Sequence, residues 1–488
     1  MRKYPSIAVP VALLALMAFS CAVGPDYKRP ETPSQDVYRG QTSPAESASM
    51  ADYPWWDVFK DETLKELIKE SLQNNQDLLI AAAKVEQYQA LLGVAKSDFY
   101  PQLNYQLQGL RGQNVPGSGI GSSPSNYFAG NLNLNWEIDI WGRIRRSTEA
   151  AKADMMSTEW ARRAIVVSLV ASVAQAYFEL IELDRELEIA TNFVSIYKDT
   201  YDLFNRKYVG GTASKIQTTS AAADWYSARA NVPSLEDKIF QKENQINLLL
   251  GRTPRPIKRG INLVNQATIP STPAGLPSTL LERRPDIVSA EEGLRSSNAK
   301  IGAAKAKFFP TLSLSGLFGA ASQDLQTFSM AWMAGGAFSG PAFDGFKVYD
   351  NYAASKTVWE QSKQSYIKAV LNALSEVANA LTDRVKLADV RKEQMEEVEQ
   401  LREYVRIANL RYIGGLADYF EVLQALDKLM PAEFDLSKTQ RDQLIAYVNI
   451  YKALGGGWDV QSPETAQQAS GSQKSKKTET ENVNETKK

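Results

Sequence analysis

The chain has 488 residues, a formal net charge of −1, no histidine and a single cysteine, Cys21. That length leaves room for two or three ordinary domains, and the balanced charge supplies no basic stripe for nucleic acid and no strong pull toward anionic lipid. Without histidine and with one cysteine, His/Cys zinc sites, Cys-His or Ser-His nucleophile pairs and intrachain disulfides are excluded; no Asp/Glu pair stands apart from the solvated helix faces, so neither an enzyme nor a cofactor is expected.

Arg2 and Lys3 precede an apolar run from Ile7 to Phe19 that ends in Ser20-Cys21. A basic start, a short apolar segment and a small residue before the break predict a secretory signal over 1–20, too short to span a bilayer comfortably as a helix. A cysteine directly after it, followed by Ala22-Val23-Gly24-Pro25, fits a bacterial lipoprotein cleavage site with Cys21 acylated. Ala18 departs from the leucine usual there, and a cysteine incidental to the run is the alternative. Residues 21–60 read as an extended, lipid-anchored arm. No later apolar run is long and uninterrupted enough to span as a helix, so any membrane crossing falls to strands.

From Asp61 to Asp98 the apolar spacing is helical, as at Leu64, Leu67, Ile68 and Leu72. At Phe99-Tyr100-Pro101 the period becomes two: Leu103, Tyr105 and Leu107 alternate with Asn104, Gln106 and Gln108, and after a Gly/Ser/Pro/Asn loop Phe128, Leu132, Leu134, Trp136, Ile138 and Ile140 alternate with Asn131, Asn133, Asn135, Glu137 and Asp139. Such alternation fits an outer-membrane barrel strand between lipid and water. A soluble half-buried sheet has the same period; the secretory signal and the length of the second strand favour the membrane.

The same helix-to-strand switch recurs at Phe308-Phe309-Pro310, about 200 residues later. Laid over Asp286–Leu312 without a gap, Asp77–Leu103 matches at Asp77/Asp286, Ala90/Ala299, Gly93/Gly302, Lys96/Lys305, Phe99/Phe308 and Pro101/Pro310. The chain is therefore a duplication, with repeat 1 over 61–260 (hairpin about 101–141), a linker over 261–276, and repeat 2 over 277–458 (hairpin about 310–343). Phe99, Tyr100, Tyr127, Trp136, Phe308, Phe309 and Trp332 sit where interfacial aromatics would.

Each strand pair is followed by a proline-free helical pattern of roughly 65 residues, about 100 Å if continuous. Phe193, Tyr197, Tyr201, Phe204 and Tyr208 mark a coiled-coil seam in one, and Val398, Leu401, Val405, Ala408 and Tyr412 in the other, read as packing. Both end in matching turns, Arg206-Lys207-Tyr208-Val209-Gly210-Gly211 and Leu410-Arg411-Tyr412-Ile413-Gly414-Gly415, whose paired glycines reverse a helix hairpin. The returning helices each carry a proline, Pro233 or Pro431, expected to kink or interrupt them. Residues 459–488 lack apolar periodicity and are expected to be disordered. Four strands per chain cannot close a barrel, which starts at about eight, so the pore wall is expected to be shared between subunits.

Gly275-Leu276-Pro277-Ser278-Thr279-Leu280-Leu281-Glu282-Arg283-Arg284-Pro285-Asp286-Ile287, with Ala290-Glu291 and Ile301-Gly302-Ala303-Ala304, resembles the outer-membrane efflux lipoproteins of the TolC/OprM (NodT) type. So do Cys21 with Val23-Gly24-Pro25-Asp26-Tyr27, Trp136-Glu137-Ile138-Asp139-Ile140-Trp141-Gly142, Leu248-Leu249-Leu250-Gly251-Arg252 and Phe343-Asp344-Gly345. The resemblance implies a mainly α chain with transmembrane β: a homotrimer, a twelve-stranded β-barrel with four strands per chain, and a long α-helical barrel in the periplasm. It implies the exit duct of a tripartite efflux pump, partnered by outer-membrane lipid, a periplasmic adaptor and an inner-membrane pump of the resistance-nodulation-division class. A type I protein-secretion outlet shares that fold, and a non-conducting periplasmic coiled-coil scaffold is the reading from another class.

By the same resemblance the adaptor docks at the hairpin tips, here Tyr208, Val209, Gly210, Gly211, Thr212 and Ser214, and Tyr412, Ile413, Gly414, Gly415 and Leu416. The periplasmic aperture would be gated by Tyr412, Asp418 and Glu421, the two acids forming a three-fold negative constriction or, alternatively, facing solvent. Departures from the family pattern are Gln424 and Gln217 where acids are common and Ala417 where some members carry a latching arginine.

Overall fold

A computed structural model describes residues 22–32, 38–39, 60–113, 122–266 and 277–456. The signal segment, Cys21, most of the arm beyond residue 32 and the tail from 457 lie outside the described residues. In chain order these are α1 (Glu62–Asn74), α2 (Gln76–Ser97), β1 (Gln102–Gly112), β2 (Ser125–Ile138), α3 (Arg143–Val209), α4 (Lys215–Leu249), α5 (Pro277–Arg283), α6 (Pro285–Ala306), β3 (Thr311–Ser322), β4 (Ser329–Ser339), α7 (Lys347–Ile413) and α8 (Phe420–Ala453). The duplication is visible in lengths: α2 and α6 have 22 residues each, and α3 and α7 have 67 each. The described residues fall into two compact units, one within 22–32, 80–162 and 286–371, the other within 38–39, 60–79, 163–285 and 372–456.

The first unit holds one antiparallel sheet in the order β1-β2-β3-β4. Its register sorts the side chains by chemistry. Leu103 pairs with Leu134 and Tyr105 with Leu132; Leu132 pairs with Phe318 and Trp136 with Leu314; Phe318 pairs with Trp332 and Leu312 with Phe338. Because successive side chains alternate between faces, all of these lie on one side. The opposite side pairs Gln102 with Asn135, Asn104 with Asn133 and Gln106 with Asn131, and continues through Ser315 and Ser313. The periodicity expected of the hairpins is thus realised as a largely apolar face, broken at Arg111 and Asn126, and a face of amides and hydroxyls broken by Leu317 opposite Met333 and Leu110 opposite Tyr127. The β2–β3 pairing joins the two repeats, which the spacing within either repeat does not reveal.

The corner after β2 accounts for the Trp-Glu-Ile-Asp-Ile-Trp-Gly motif. Asp139 accepts hydrogen bonds from the backbone N–H groups of Ile144 (3.0 Å) and Arg145 (2.8 Å), satisfying orphan donors at the start of α3. Arg143 forks onto Glu137, both bonds at 2.8 Å. The Trp136 indole donates to the Phe99 carbonyl (2.9 Å) and the Trp141 indole to that of Pro310 (2.8 Å), so each helix-to-strand switch is pinned by a tryptophan of this one motif. Trp141 also stacks on Phe309 at 4.6 Å between centroids.

The arm lies against the same unit. Val23 N–H donates to the Trp141 carbonyl at 3.0 Å, and a Cβ on Gly142 (φ +79°) would come within 2.8 Å of Ala22. Asp26 pairs with Arg146 at 2.7 Å. Glu291 on α6, nearly inaccessible, accepts from Tyr27 (3.1 Å), from both Arg29 nitrogens (3.0 and 2.7 Å) and from Arg295 (3.1 Å).

In the second unit, Val166, Val170, Val173, Tyr177 and Leu180 of α3 are at most 2% exposed, their spacing alternating four and three as in a packed helix seam. Here one expectation is corrected. α3 contains an 18-residue window of mean hydropathy 1.9, apolar enough by composition to cross a membrane. Two thirds of that window is buried in the protein, so its apolar surface serves packing. Neither proline interrupts its helix: α4 runs through Pro233 and α8 through Pro431. Both prolines are exposed, so the carbonyl each leaves unpaired four residues earlier can be hydrated. The buried Asp61 joins three segments, capping α1 through Thr63 N–H (2.9 Å) and accepting from the Tyr177 hydroxyl and Ile261 N–H at 2.9 Å each.

Candidate functional site

The second unit carries both hairpin tips, and they are built alike. At the end of α3, Gly210, Gly211 and Thr212 N–H groups donate to the carbonyls of Arg206 (3.0 Å), Tyr208 (3.0 Å) and Lys207 (2.8 Å). At the end of α7, Gly414, Gly415 and Leu416 donate to Leu410 (2.9 Å), Tyr412 (3.1 Å) and Arg411 (2.8 Å). This double closure needs a left-handed residue after the helix, and the second glycine of each pair supplies it: Gly211 has φ +72° and Gly415 φ +71°. The exits differ. Ser214 opens α4 with a reciprocal capping box, its hydroxyl accepting from Gln217 N–H while the Gln217 side chain accepts from Ser214 N–H. Asp418 instead accepts from Phe420 N–H at 3.2 Å, ahead of α8.

One apolar cluster binds the four helices behind the tips, with Phe193, Tyr197 and Phe204 from α3, Ala221 from α4, Ala408 from α7, and Tyr419, Val422 and Leu426 at and within the start of α8. The seam residues thus pack as expected, except that Tyr208 is 41% exposed. Tyr419 is the pivot. Its ring meets Phe204 at 5.0 Å and Tyr412 at 4.9 Å, both edge-on, and its hydroxyl bonds to that of Thr200. Burial raises the Tyr419 phenol above its ordinary pKa, against the opposing hydrogen bond to Thr200, so it stays protonated at neutral pH. Nearby, burial first and then the Asp427 charge raise the pKa of the Tyr197 phenol, which donates to Asp427 at 3.0 Å, and that of the Asp224 carboxyl.

Of the residues assigned to the aperture, Tyr412 is half-buried, with Lys207 Nζ donating to its hydroxyl at 2.5 Å. Glu421 lies 3.2 Å from Arg411, so within one chain its charge is partly offset. Asp418 is exposed. Val209, Ile413 and Leu416 are each more than three quarters exposed, leaving the extreme tips apolar. Sequence reasoning missed Lys207, Arg411, Thr200 and Tyr419. The first two were signalled by the basic residue directly before each tip tyrosine; the others have no mark beyond an ordinary hydroxyl and ring.

A duplicated chain with a two-faced four-stranded sheet and two long helix hairpins is a specific architecture, and comparison with known proteins agrees with it. The model of the outer membrane efflux protein family matches residues 67–252 and 276–456. The chain belongs to the outer membrane efflux protein family. It is 33% identical over 474 residues to the probable efflux pump outer membrane protein TtgC of Pseudomonas putida, covering 94% of this chain and 97% of the relative. To the cation efflux system protein CusC of Escherichia coli it is 32% identical over 454 residues, covering 91% and 97%. Among solved structures, the outer-membrane channel OprN superposes with a TM-score of 0.81 at 30% identity, covering 90% of this chain and all of that one. This efflux protein is thus an outer-membrane channel of an efflux pump, with strands in the membrane and helices in the periplasm. The family consists of channel proteins, and among the described residues no cluster of three or more His, Cys, Asp or Glu side chains is set up to hold a metal.

Proposed function

We propose that three copies of the chain join β1 of one to β4 of the next, closing a twelve-stranded barrel, and that the protein is the passive exit duct of a tripartite pump. The observation that carries this reading is the sheet: four strands, one face largely apolar and the other lined mainly by amides, hydroxyls and small residues, with β1 and β4 unpaired on their outer sides. Open edges in hydrocarbon leave backbone groups unsatisfied at several kcal/mol each, roughly, and a barrel needs about eight strands or more. Sharing the wall between copies answers both constraints, and the family resemblance favours three copies over two. A periplasmic adaptor would dock on the exposed apolar tips, Tyr208–Ser214 and Tyr412–Leu416, and hand over cargo from an inner-membrane pump of the resistance-nodulation-division class. Cargo choice would rest with pump and adaptor; the relatives named above serve cation export in one case and an unspecified efflux pump in the other.

At the aperture we assign Tyr412, Asp418 and Glu421 to a three-fold constriction. With Glu421 beside Arg411, Asp418 is the dominant negative charge, and the Lys207–Tyr412 bond between the two hairpins takes the place of the arginine latch absent at Ala417. Acylation of Cys21 belongs to the same reading, supported by the position of Ala22 against Gly142, in the corner between β2 and α3. Single-channel recording in planar bilayers tests the function. The purified protein is expected to conduct with cation preference; Asp418→Ala is expected to weaken that preference, and Glu421→Ala to shift it further toward anions by freeing Arg411. Absence of conductance would overturn the duct, and unchanged selectivity in both variants would overturn the constriction.

A further inference from the structure

Away from the tips, α3 buries two carboxylates one helical turn apart. Glu182 and Glu186 are 2% and 6% exposed, on the same helix face by their four-residue spacing. Facing them from α8 are Arg441, 3.2 Å from Glu182, and Lys438, 3.8 Å from Glu186. Those cations are themselves shared, Arg441 with Asp442 (2.8 Å) and Lys438 with Asp435 (3.5 Å). A cavity of about 540 Å³ reaches Glu182 and is lined also by Glu179, Lys238, Lys242 and Arg441. Lys242 is taken up by Glu179 at 2.7 Å. Two buried carboxylates therefore share cations that other acids compete for, beside an opening through which a proton can come and go.

We propose that Glu182 and Glu186 of α3, set against Lys438 and Arg441 of α8, form a proton-operated clamp that holds the two helices together with one proton bound and loosens them when it is lost. With that proton the carboxylates share a hydrogen bond and carry one negative charge between them. Without it, two like charges one turn apart lie in a poorly solvated site, which is unfavourable by both desolvation and repulsion. The direction of the Glu182 titration agrees: burial first, then the Glu186 charge, push it up to about 7, against the pull of Arg441. A carboxyl whose folded pKa exceeds its unfolded value binds its proton more readily when folded. Its contribution is therefore present in mild acid and fades as pH rises through about 7. The clamp stands apart from the duct reading, since it concerns the α3–α8 contact within one chain whether or not a pore forms.

Hydrogen exchange of the full-length protein in detergent or nanodiscs, followed by mass spectrometry and corrected for the intrinsic pH dependence of exchange, tests it. In the wild type, peptides covering 175–190 and 435–445 are expected to lose about tenfold in protection between about pH 6 and about pH 8, the limit for one proton bound with a pKa near 7. Glu182→Gln and, separately, Glu186→Gln each leave a single buried charge, so both are expected to flatten that loss while peptides at the hairpin tips keep their wild-type behaviour. A wild-type profile without the loss, or a loss of the same size persisting in both variants, would overturn the clamp. Because each amide is nearly isosteric with its acid, a folding failure in one variant leaves the other to decide.

Discussion

Glu291 gathers the arm onto α6. Burial alone would raise its pKa, but hydrogen bonds and charge from Arg29, with help from Tyr27 and Arg295, hold the carboxyl below its usual range. A depressed folded pKa stabilises at pH above the unfolded value, and that contribution is lost as pH falls through the folded one. Exchange protection of residues 22–32 is therefore expected to persist at neutral pH and to disappear in strong acid, below about pH 4. Glu291→Ala should abolish it at pH 7, visible also as faster tryptic cleavage after Lys28; protection unchanged in that variant would contradict the buckle. Asp61 has a comparable role in the second unit. Asp61→Ala would strip the acceptor from the Tyr177 hydroxyl, Ile261 N–H and the first turn of α1, and should cost about 3 kcal/mol, read as a lowered thermal midpoint. Neither contact could be read from the sequence. Tyr27 and Glu291 each lie in a recognisable motif, but nothing in either motif announces that the two meet across 264 positions.

Among the elements, the tip turns separate two kinds of glycine. A Cβ on Gly211 or Gly415 would meet nothing within 4 Å, yet both sit at positive φ. Alanine there is expected to cost about 1–2 kcal/mol per site through backbone conformation alone. Alanine at Gly210 or Gly414, neither at positive φ, would approach a carbonyl oxygen no nearer than 3.4 or 3.3 Å and should cost less. Exchange at Thr212 and Leu416 N–H reports the difference; equal effects at both glycines of a pair would contradict it. The strands make a second contrast. Leu132→Arg introduces charge on the apolar face and should cost about 2–4 kcal/mol near the bilayer midplane, while Asn133→Arg, on the amide face, should be tolerated, as judged by recovery from the outer-membrane fraction. Helices of 67 residues and strands of period two were legible because each is a local pattern repeated many times. The passage of α4 and α8 through proline was not legible, because it depends on whether the freed carbonyl meets water. At the tips the glycine pairs announced the turns, but the Lys207–Tyr412 and Arg411–Glu421 contacts depend on how two hairpins pack, which no single stretch encodes.

For the whole molecule, the property on which the proposed trimer rests is that the four-stranded sheet of one chain is open. Its sheet has an apolar face with no partner and two edge strands with free backbone groups, an arrangement stable in lipid only once other copies continue it. The count of four strands was already legible in the duplication, since two hairpins amount to four strands. The β2–β3 pairing that merges the hairpins into one sheet, leaving only β1 and β4 as edges, required the structure. The most direct measurement is disulfide scanning between those edges. Single cysteines at Tyr105–Gly109 in β1 are combined with single cysteines at Ala331–Gly335 in β4, Cys21 being the only cysteine already present. Pairs in register are expected to yield a covalent species of three chains in outer-membrane preparations. Crosslinks confined within one chain, or a ladder that stops at two, would contradict the trimer.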